Sequence, residues 1–316
     1  MELTTAQALA MLALGLGSFI TGMIPAFVSE SARQRHPLFI SCLLCFGGGV
    51  LLSTSVVHML PEAREKLPEY SELMLCVGFF LVFLVDEIVH IFYGAHDHNQ
   101  IVGNRLSQHI HRGYGTVEAT SLLNDPRIVD GEMRERCCGD AGNPRMCHVS
   151  HTPPCNQSSS GVIGLLCALF VHSVLEGLAI GLQESPSQVL LLLAAVVSHK
   201  FVVGFCLGAE ICASSSRSLC MHIVCVLIFS GGSVGGIAIG AGLESVTVVK
   251  ETLAVPIMQA LAAGTLLYVT VSEILPRERA RWHERQRSAG IAQFIAVVLG
   301  FGLMYLTTKL LDHDVV

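Results

Sequence analysis

The chain has 316 residues, of which 52% are hydrophobic and 14% are charged, and its formal net charge is −6. Soluble domains carry about 25% charged residues, so this composition excludes an ordinary soluble globular protein. The sequence contains no basic patch with interleaved aromatic residues, which argues against nucleic acid as a partner.

Eight apolar runs of about 20 residues follow one another, and each is long enough to cross a bilayer. The predicted spans, numbered one to eight, are 6–28, 38–60, 73–93, 161–182, 189–211, 219–243, 254–275 and 291–311. The first run has no basic residue before it and is longer than a signal-peptide core, so we expect it to be a span. The pattern predicts an all-α integral membrane protein, with the short loops joining antiparallel helices in a bundle.

The distribution of basic residues predicts the orientation of this bundle. Eight spans place both termini on one side of the membrane, and fourteen of the nineteen Lys and Arg residues lie in the connections on the other side. The positive-inside rule assigns the Arg-rich side to the cytosol. Both termini, including the short tail 312–316, are therefore expected to be extracellular or lumenal.

Span 2 ends in a histidine and a glutamate spaced for one helix face. His58 and Glu62 are four residues apart, and further glutamates follow in the predicted external loop. An acidic mouth of this kind concentrates cations by electrostatic focusing. The alternative is a solvated helix end with ordinary surface carboxylates.

Span 3 leads into the one long polar stretch, residues 94–160, which separates spans 1–3 (1–93) from spans 4–8 (161–311). At the cytosolic end of span 3, Glu87 and His90 form either an exit path for an ion or ordinary interfacial polarity. The loop carries further candidate metal ligands at a spacing that matches no standard zinc finger, which favours a cytosolic metal-receiving segment over a structural domain. These residues are His96, His98, Cys137, Cys138, Cys147 and His148.

Spans 4 and 5 carry ionisable residues near their centres. His172 and Glu176 are four residues apart and share one face of a helix, and His199 and Lys200 lie mid-span in the next. Ionisable groups are costly in hydrocarbon and commonly mark an ion path, a proton relay or a ligand site. Imidazole and carboxylate are ligands for zinc, and an incomplete ligand shell suits an ion that must be released.

Two other interpretations of this cluster remain open. A His–Glu hydrogen bond could only pack helices, and histidines near neutral pH could relay protons without a metal. Lys200 would repel a cation, so it either points away from His199, pairs with a carboxylate or loses its proton. We interpret its ammonium as filling the place of a second ion, which leaves one metal in the site.

Three segments resemble the ZIP (Zrt/Irt-like) metal transporters. These are HSVLEGLAIG in span 4 followed by the mid-span His199, GGVLLSTSVVHMLPEA in span 2, and QALAAGTLLYVTVSEILP in span 7. The His-Lys pair in span 5 resembles the animal ZIP1–3 subgroup. Nearly the whole chain takes part in this resemblance, least of all the long loop.

The resemblance implies import of Zn²⁺ into the cytosol, with Fe²⁺ or Cd²⁺ as related ions. It also implies an inverted-repeat bundle, a midplane site that alternates its access, and a homodimer. We expect the protein in the plasma membrane, with endomembrane compartments as the alternative. Residue by residue, the family's metal site falls on His172, Glu176 and His199, with Ser173 beside it, and the pair His58 and Glu62 lines the access side. Zinc is then a transported substrate and not a cofactor.

Two other functional classes are weighed against a transporter. An intramembrane zinc metalloenzyme is disfavoured because the chain has no H-E-x-x-H motif, and we therefore expect no enzymatic activity. A metal-gated channel is disfavoured because eight spans around a midplane site favour alternating access.

Overall fold

The computed structural model describes residues 2–28, 37–111, 159–213, 218–243, 253–282 and 287–315, and all regular structure within these ranges is helical. We number the helices α1 to α8. Their bounds are α1 Leu3–Phe27, α2 Pro37–Lys66, α3 Ser71–His111, α4 Ser159–Gly181, α5 Pro186–Ala213, α6 Leu219–Leu243, α7 254–282 and α8 Arg287–Val315.

Each of these eight helices contains a segment long and apolar enough to cross a membrane. This finding confirms the prediction of an all-α protein with eight spans. Most ends agree within three residues, but α2 continues to Lys66 and the span in α7 continues to Ala280. The predicted ends come too early because the last turns of both helices are polar, and hydropathy alone does not detect a helix that continues into polar sequence.

Extensive helix packing divides the spans into two groups. In the first group α1 packs on α5 and α6, and α4 packs on α6. In the second group α2 packs on α8, and the backbones of α3 and α7 approach closely at Gly78 and Gly264. Helix α7 also packs on α4, so the two groups are in contact.

Glycines allow the close approach of α4 and α6. A Cβ atom at Gly177 or Gly181 would meet the backbone of α6, and one at Gly236 or Gly240 would meet the backbone of α4. Small residues at such positions let helices approach in lipid, where van der Waals contact and not water exclusion holds them together. The glycines thus place α4, which carries His172 and Glu176, firmly against its neighbour.

A π-helical turn interrupts both α2 and α7. The two turns are Thr54–Met59 and Val269–Ile274, and each is followed by Leu-Pro. The Leu60 amide donates to the Ser55 carbonyl, and the Leu275 amide donates to the Thr270 carbonyl, five residues back in each case. A proline ring clashes with the carbonyl four residues earlier in a regular helix, and the wider turn relieves this crowding. His58 and Glu273 lie in these turns.

The chain forms two units by contact, Met1–Gly94 with Pro153–Val316 and, separately, Ala95–Thr152. The cysteines of the predicted 94–160 loop and His148 lie outside the described residues. For His96 and His98, only the helical backbone of α3 is described. Their proposed metal-receiving role stays a prediction.

Candidate metal site

The central site lies where α4 meets α5. His172 and Glu176 are one turn apart on α4, and His199 lies at the middle of α5. Their side chains are 0%, 3% and 1% exposed. One potential ligand atom from each lies within 4.8 Å of the others, and this is the one such group of His, Cys, Asp and Glu in the described part of the chain.

His172 is held by α7. Its Nδ1 lies 3.1 Å from the Ala262 carbonyl oxygen and 3.1 Å from Thr265 Oγ1. A carbonyl only accepts, so Nδ1–H is the donor and Nε2 carries the lone pair. Nε2 has no hydrogen-bond partner among the described residues and lies 3.7 Å from Glu176 Oε1. A backbone partner on one nitrogen that frees the other is the usual support of a metal-binding imidazole.

Glu176 presents its two oxygens to different partners. Oε1 lies 2.6 Å from His199 Nε2, which donates to it in the absence of an ion. Oε2 accepts a 2.8 Å hydrogen bond from Lys200 Nζ. The carboxylate is therefore compensated on one side, while its other oxygen faces both imidazoles.

Lys200 belongs to the site, although it follows His199 directly in sequence. It is fully buried, and its Nζ also donates to Ser173 Oγ at 2.8 Å. The Phe229 ring centroid lies 4.9 Å from the ammonium, within the range of a cation–π contact. Of the three alternatives for Lys200, the structure shows pairing with a carboxylate. The Ser173 hydroxyl contacts the ammonium.

His58 and Glu62 share a pocket with the central site. The pocket is narrow, and its lining includes His58, Met59, Glu62, Gln259, Glu176 and His199. His58 and Glu62 are half-buried in the last turns of α2. The pocket therefore connects His58 and Glu62 with Glu176 and His199, a connection that hydropathy and spacing could not reveal.

The glutamates beyond this pair are surface residues. Glu65, Glu69 and Glu72 are exposed, and Glu72 forms an ion pair with Arg64. Exposed pairs of this kind contribute little to stability. These residues match the expectation of ordinary solvated carboxylates.

The end of the apolar span in α3, Ser71–Phe92, carries a separate polar cluster. Glu87 and His90 are exposed, and His90 Nε2 lies 3.9 Å from Asp86 Oδ2. Tyr268 on α7 donates to the same Asp86 oxygen at 2.9 Å. The structure does not bring Glu87 and His90 to the central ligands, so an exit role for them stays a prediction.

Glu273 and Arg277 form an ion pair within α7. Arg277 also donates to the Gly161 carbonyl on α4 at 2.9 Å. The pair therefore links the two helix groups.

Sequence reasoning missed Ala262, Thr265 and Gln259. All three lie on α7, within a segment noted only for its resemblance. A polar Gln or Thr in an apolar run was an available signal, but its partner on another helix depends on tertiary packing.

Fold and site together define a class: a multi-pass helical membrane protein with a buried His–Glu–His cluster at mid-span. Comparison with known proteins identifies the family within this class. The profile described as "ZIP Zinc transporter" matches residues 4–308, and the chain belongs to this family. Members of the family are transporters and not enzymes, and they carry Zn²⁺ as substrate.

Individual relatives agree with this assignment. The chain is 29% identical to human zinc transporter ZIP2, in an alignment covering 93% of this chain and 94% of ZIP2. It is 27% identical to human zinc transporter ZIP1, covering 87% of this chain and 79% of ZIP1. Human zinc transporter ZIP3 is 26% identical, with 96% and 97% covered. These similarities confirm the resemblance to the ZIP1–3 subgroup and support zinc transport.

Proposed function

We propose that this protein moves Zn²⁺ from the outside or an organelle lumen into the cytosol by alternating access to the site formed by His172, Glu176 and His199. The observation that carries the proposal is the convergence of these three buried side chains at mid-span. Ionisable groups are retained at this depth where they serve an ion or proton path. The choice of Zn²⁺ as the transported ion follows from the zinc transporters among its relatives.

The proposed coordination uses three protein atoms. His172 Nε2 is already free to bind, and Glu176 Oε1 faces both imidazoles. Zinc takes the place of the hydrogen bond between His199 Nε2 and Glu176 Oε1, and the imidazole then carries its one proton on Nδ1, which has no hydrogen-bond partner among the described residues. Lys200 keeps Glu176 Oε2, which leaves room for one ion. Three protein ligands leave a position for water and allow release.

The proposed access route begins at His58 and Glu62 and follows the pocket to Glu176 and His199. The central ligands lie on α4 and α5 in one helix group, while His58 lies on α2 in the other. A shift of the first group relative to the second would move the site from one side of the membrane to the other. This is the usual form of alternating access in transporters with midplane sites.

We propose that zinc is released at the end of the bundle where the apolar span of α3 carries Glu87 and His90. In the conformation described, the Arg277 bond to the Gly161 carbonyl links α7 to α4 near that end. The group movement must break this link. Glu273 would then hold Arg277 during the step, because both are on α7.

Three finer parts of the proposal follow the family resemblance. Fe²⁺ and Cd²⁺ share ligand preferences with Zn²⁺ and would compete for the site. The protein would reside in the plasma membrane and form a homodimer. Only 17% of the apolar segment of α3 and 22% of that of α8 are buried, so the outer faces of these helices are available to lipid or to a second copy.

The proposal is tested by uptake of radiolabelled zinc into cells that express the chain, beside a His172→Ala, His199→Ala double variant at matched surface level. We expect saturable uptake by the parent and background uptake by the variant, because two of three ligands are gone. Equal uptake by both would show that the cluster is structural. A current far above carrier rates would instead support a channel.

A further inference from the structure

Gln259 is a buried polar residue in the pocket that the proposed coordination does not use. Its side chain is 3% exposed, and it lines the pocket together with His58, Glu62, Glu176 and His199. Its Oε1 has no hydrogen-bond partner among the described residues. Buried amide oxygens nearly always accept a hydrogen bond, and an exception is explained by strain, a functional role, a water or an ion.

The position of Gln259 is fixed by contacts one turn further along α7. The Ala262 carbonyl accepts from His172 on α4, and the Ala263 carbonyl accepts from Ser55 on α2 at 2.8 Å. Residues three and four apart lie on one helix face. Gln259 is therefore held on the face of α7 that meets both the central site and the end of α2.

The chemistry of an amide oxygen suits a passing cation. Among the polar lining residues, His58 with Glu62 and His199 with Glu176 each combine an imidazole with a carboxylate, whereas Gln259 is neutral at every pH. A neutral oxygen accepts a hydrogen bond from a metal-bound water or binds the metal weakly. Conduction requires sites that an ion can also leave, and a further carboxylate here would hold it longer.

We propose that Gln259 is a further binding residue of the ion path, whose Oε1 binds a divalent cation or its hydration water as the ion moves from His58 and Glu62 to Glu176 and His199. This inference rests on the proposed zinc transport. It adds a neutral oxygen contact on α7 to ligands that otherwise lie on α2, α4 and α5.

The test compares zinc uptake kinetics of Gln259→Leu and Gln259→Glu with the parent. Leucine keeps the bulk and removes the acceptor, so we expect KM for Zn²⁺ to rise about fivefold with Vmax within about twofold. Glutamate keeps the oxygen and adds charge, so KM should fall and Vmax should also fall. Gln188→Leu, at an exposed position in the first turn of α5, is the matched control and should behave as the parent.

Opposite KM shifts for leucine and glutamate support the proposal, because a packing role would not respond to charge in this way. A parental KM in Gln259→Leu overturns it, as does an equal loss of Vmax in both variants at unchanged KM. If leucine prevents folding, the glutamate variant decides alone by a lower or an unchanged KM.

Zinc binding to the purified proteins, measured by calorimetry with Zn²⁺ as the probe, separates this inference from the proposed function. If the parent shows no zinc uptake in cells, the proposed function fails. Calorimetry decides the inference separately: weaker zinc binding by Gln259→Leu than by the parent supports it, and equal binding overturns it.

Discussion

At the residue scale, the division of Glu176 between its neighbours controls the charge of the site. Lys200 compensates one oxygen, and the other faces the imidazoles of His172 and His199. Without Lys200 a buried carboxylate would keep only its histidine partner. The lysine thus allows the protein to fold without an ion and still leaves one oxygen for the ion.

Replacement of Lys200 by methionine tests this balance. Breaking a fully buried ion pair costs about 3–5 kcal/mol, so the metal-free protein should unfold at lower temperature. Zinc should restore more stability to the variant than to the parent, because a divalent ion compensates Glu176 in place of the ammonium. The measurement is thermal unfolding in detergent with and without Zn²⁺.

Lys66→Met, at an exposed position at the end of α2, provides the control and should change neither value appreciably. An equal zinc-induced stabilisation in the Lys200 variant and the parent would contradict the compensating role of the lysine.

Acidification should slow zinc uptake. Metal ligands bind in their deprotonated form, so protons compete with Zn²⁺ for the imidazole and carboxylate groups of the proposed site. Uptake should therefore fall as the external pH is lowered. The measurement is initial uptake between about pH 7.5 and about pH 5.5. A steep rise at low pH would replace this scheme by proton cotransport.

At the element scale, the seam between α4 and α6 positions the ligands of α4. Gly177 and Gly181 meet Gly236 and Gly240 across this seam, with backbone against backbone. A side chain here would push α4 away from α6. Because His172 and Glu176 lie on α4, the displacement would also alter the ligand geometry.

Gly236→Val should therefore destabilise the protein by about 1–3 kcal/mol, as overpacking does in closely packed interiors, and lower zinc uptake. Gly235→Val is the matched control, since a Cβ atom at Gly235 has nothing within 4 Å. Thermal unfolding and uptake at matched surface level measure both effects. Equal behaviour of the two valine variants would show that the seam does not position the site.

The π-helical turns are the second feature at this scale. Each precedes a Leu-Pro pair, and one contains His58 while the other contains Glu273. The wider turn rotates the following residues relative to a regular helix. His58 and Glu62 therefore reach the shared pocket from a face that a uniform helical wheel does not assign to them.

At the scale of the whole molecule, the proposed direction of transport depends on orientation. An epitope tag at the C-terminus should be labelled by antibody on intact cells, because the positive-inside asymmetry predicts that both termini lie outside. The sequon at Asn156 should carry no sugar, so treatment with a glycosidase should leave the apparent mass unchanged. Labelling only after permeabilisation, or a sugar on Asn156, would reverse the orientation.

Hydropathy and residue spacing alone predicted the all-helical class, the eight spans and the pairing of His172 with Glu176. These features depend on short stretches of chain: apolar length sets a span, and helical periodicity places residues four apart on one face. Hydropathy places the ends of α2 and α7 too early, because their polar final turns resemble loops in composition.

Tertiary structure decided which helices meet, and therefore what each polar side chain contacts. It brought Lys200 to Glu176 and the Ala262 carbonyl to His172. It also brought together the residues that line one pocket, which include His58, Glu62, Glu176, His199 and Gln259. Side-chain direction one residue further along a helix changes by about 100°, and interhelical distances depend on glycine seams formed by distant residues. The sequence by itself determined the helices and their candidate ligands, whereas only their packing determined the geometry of the site.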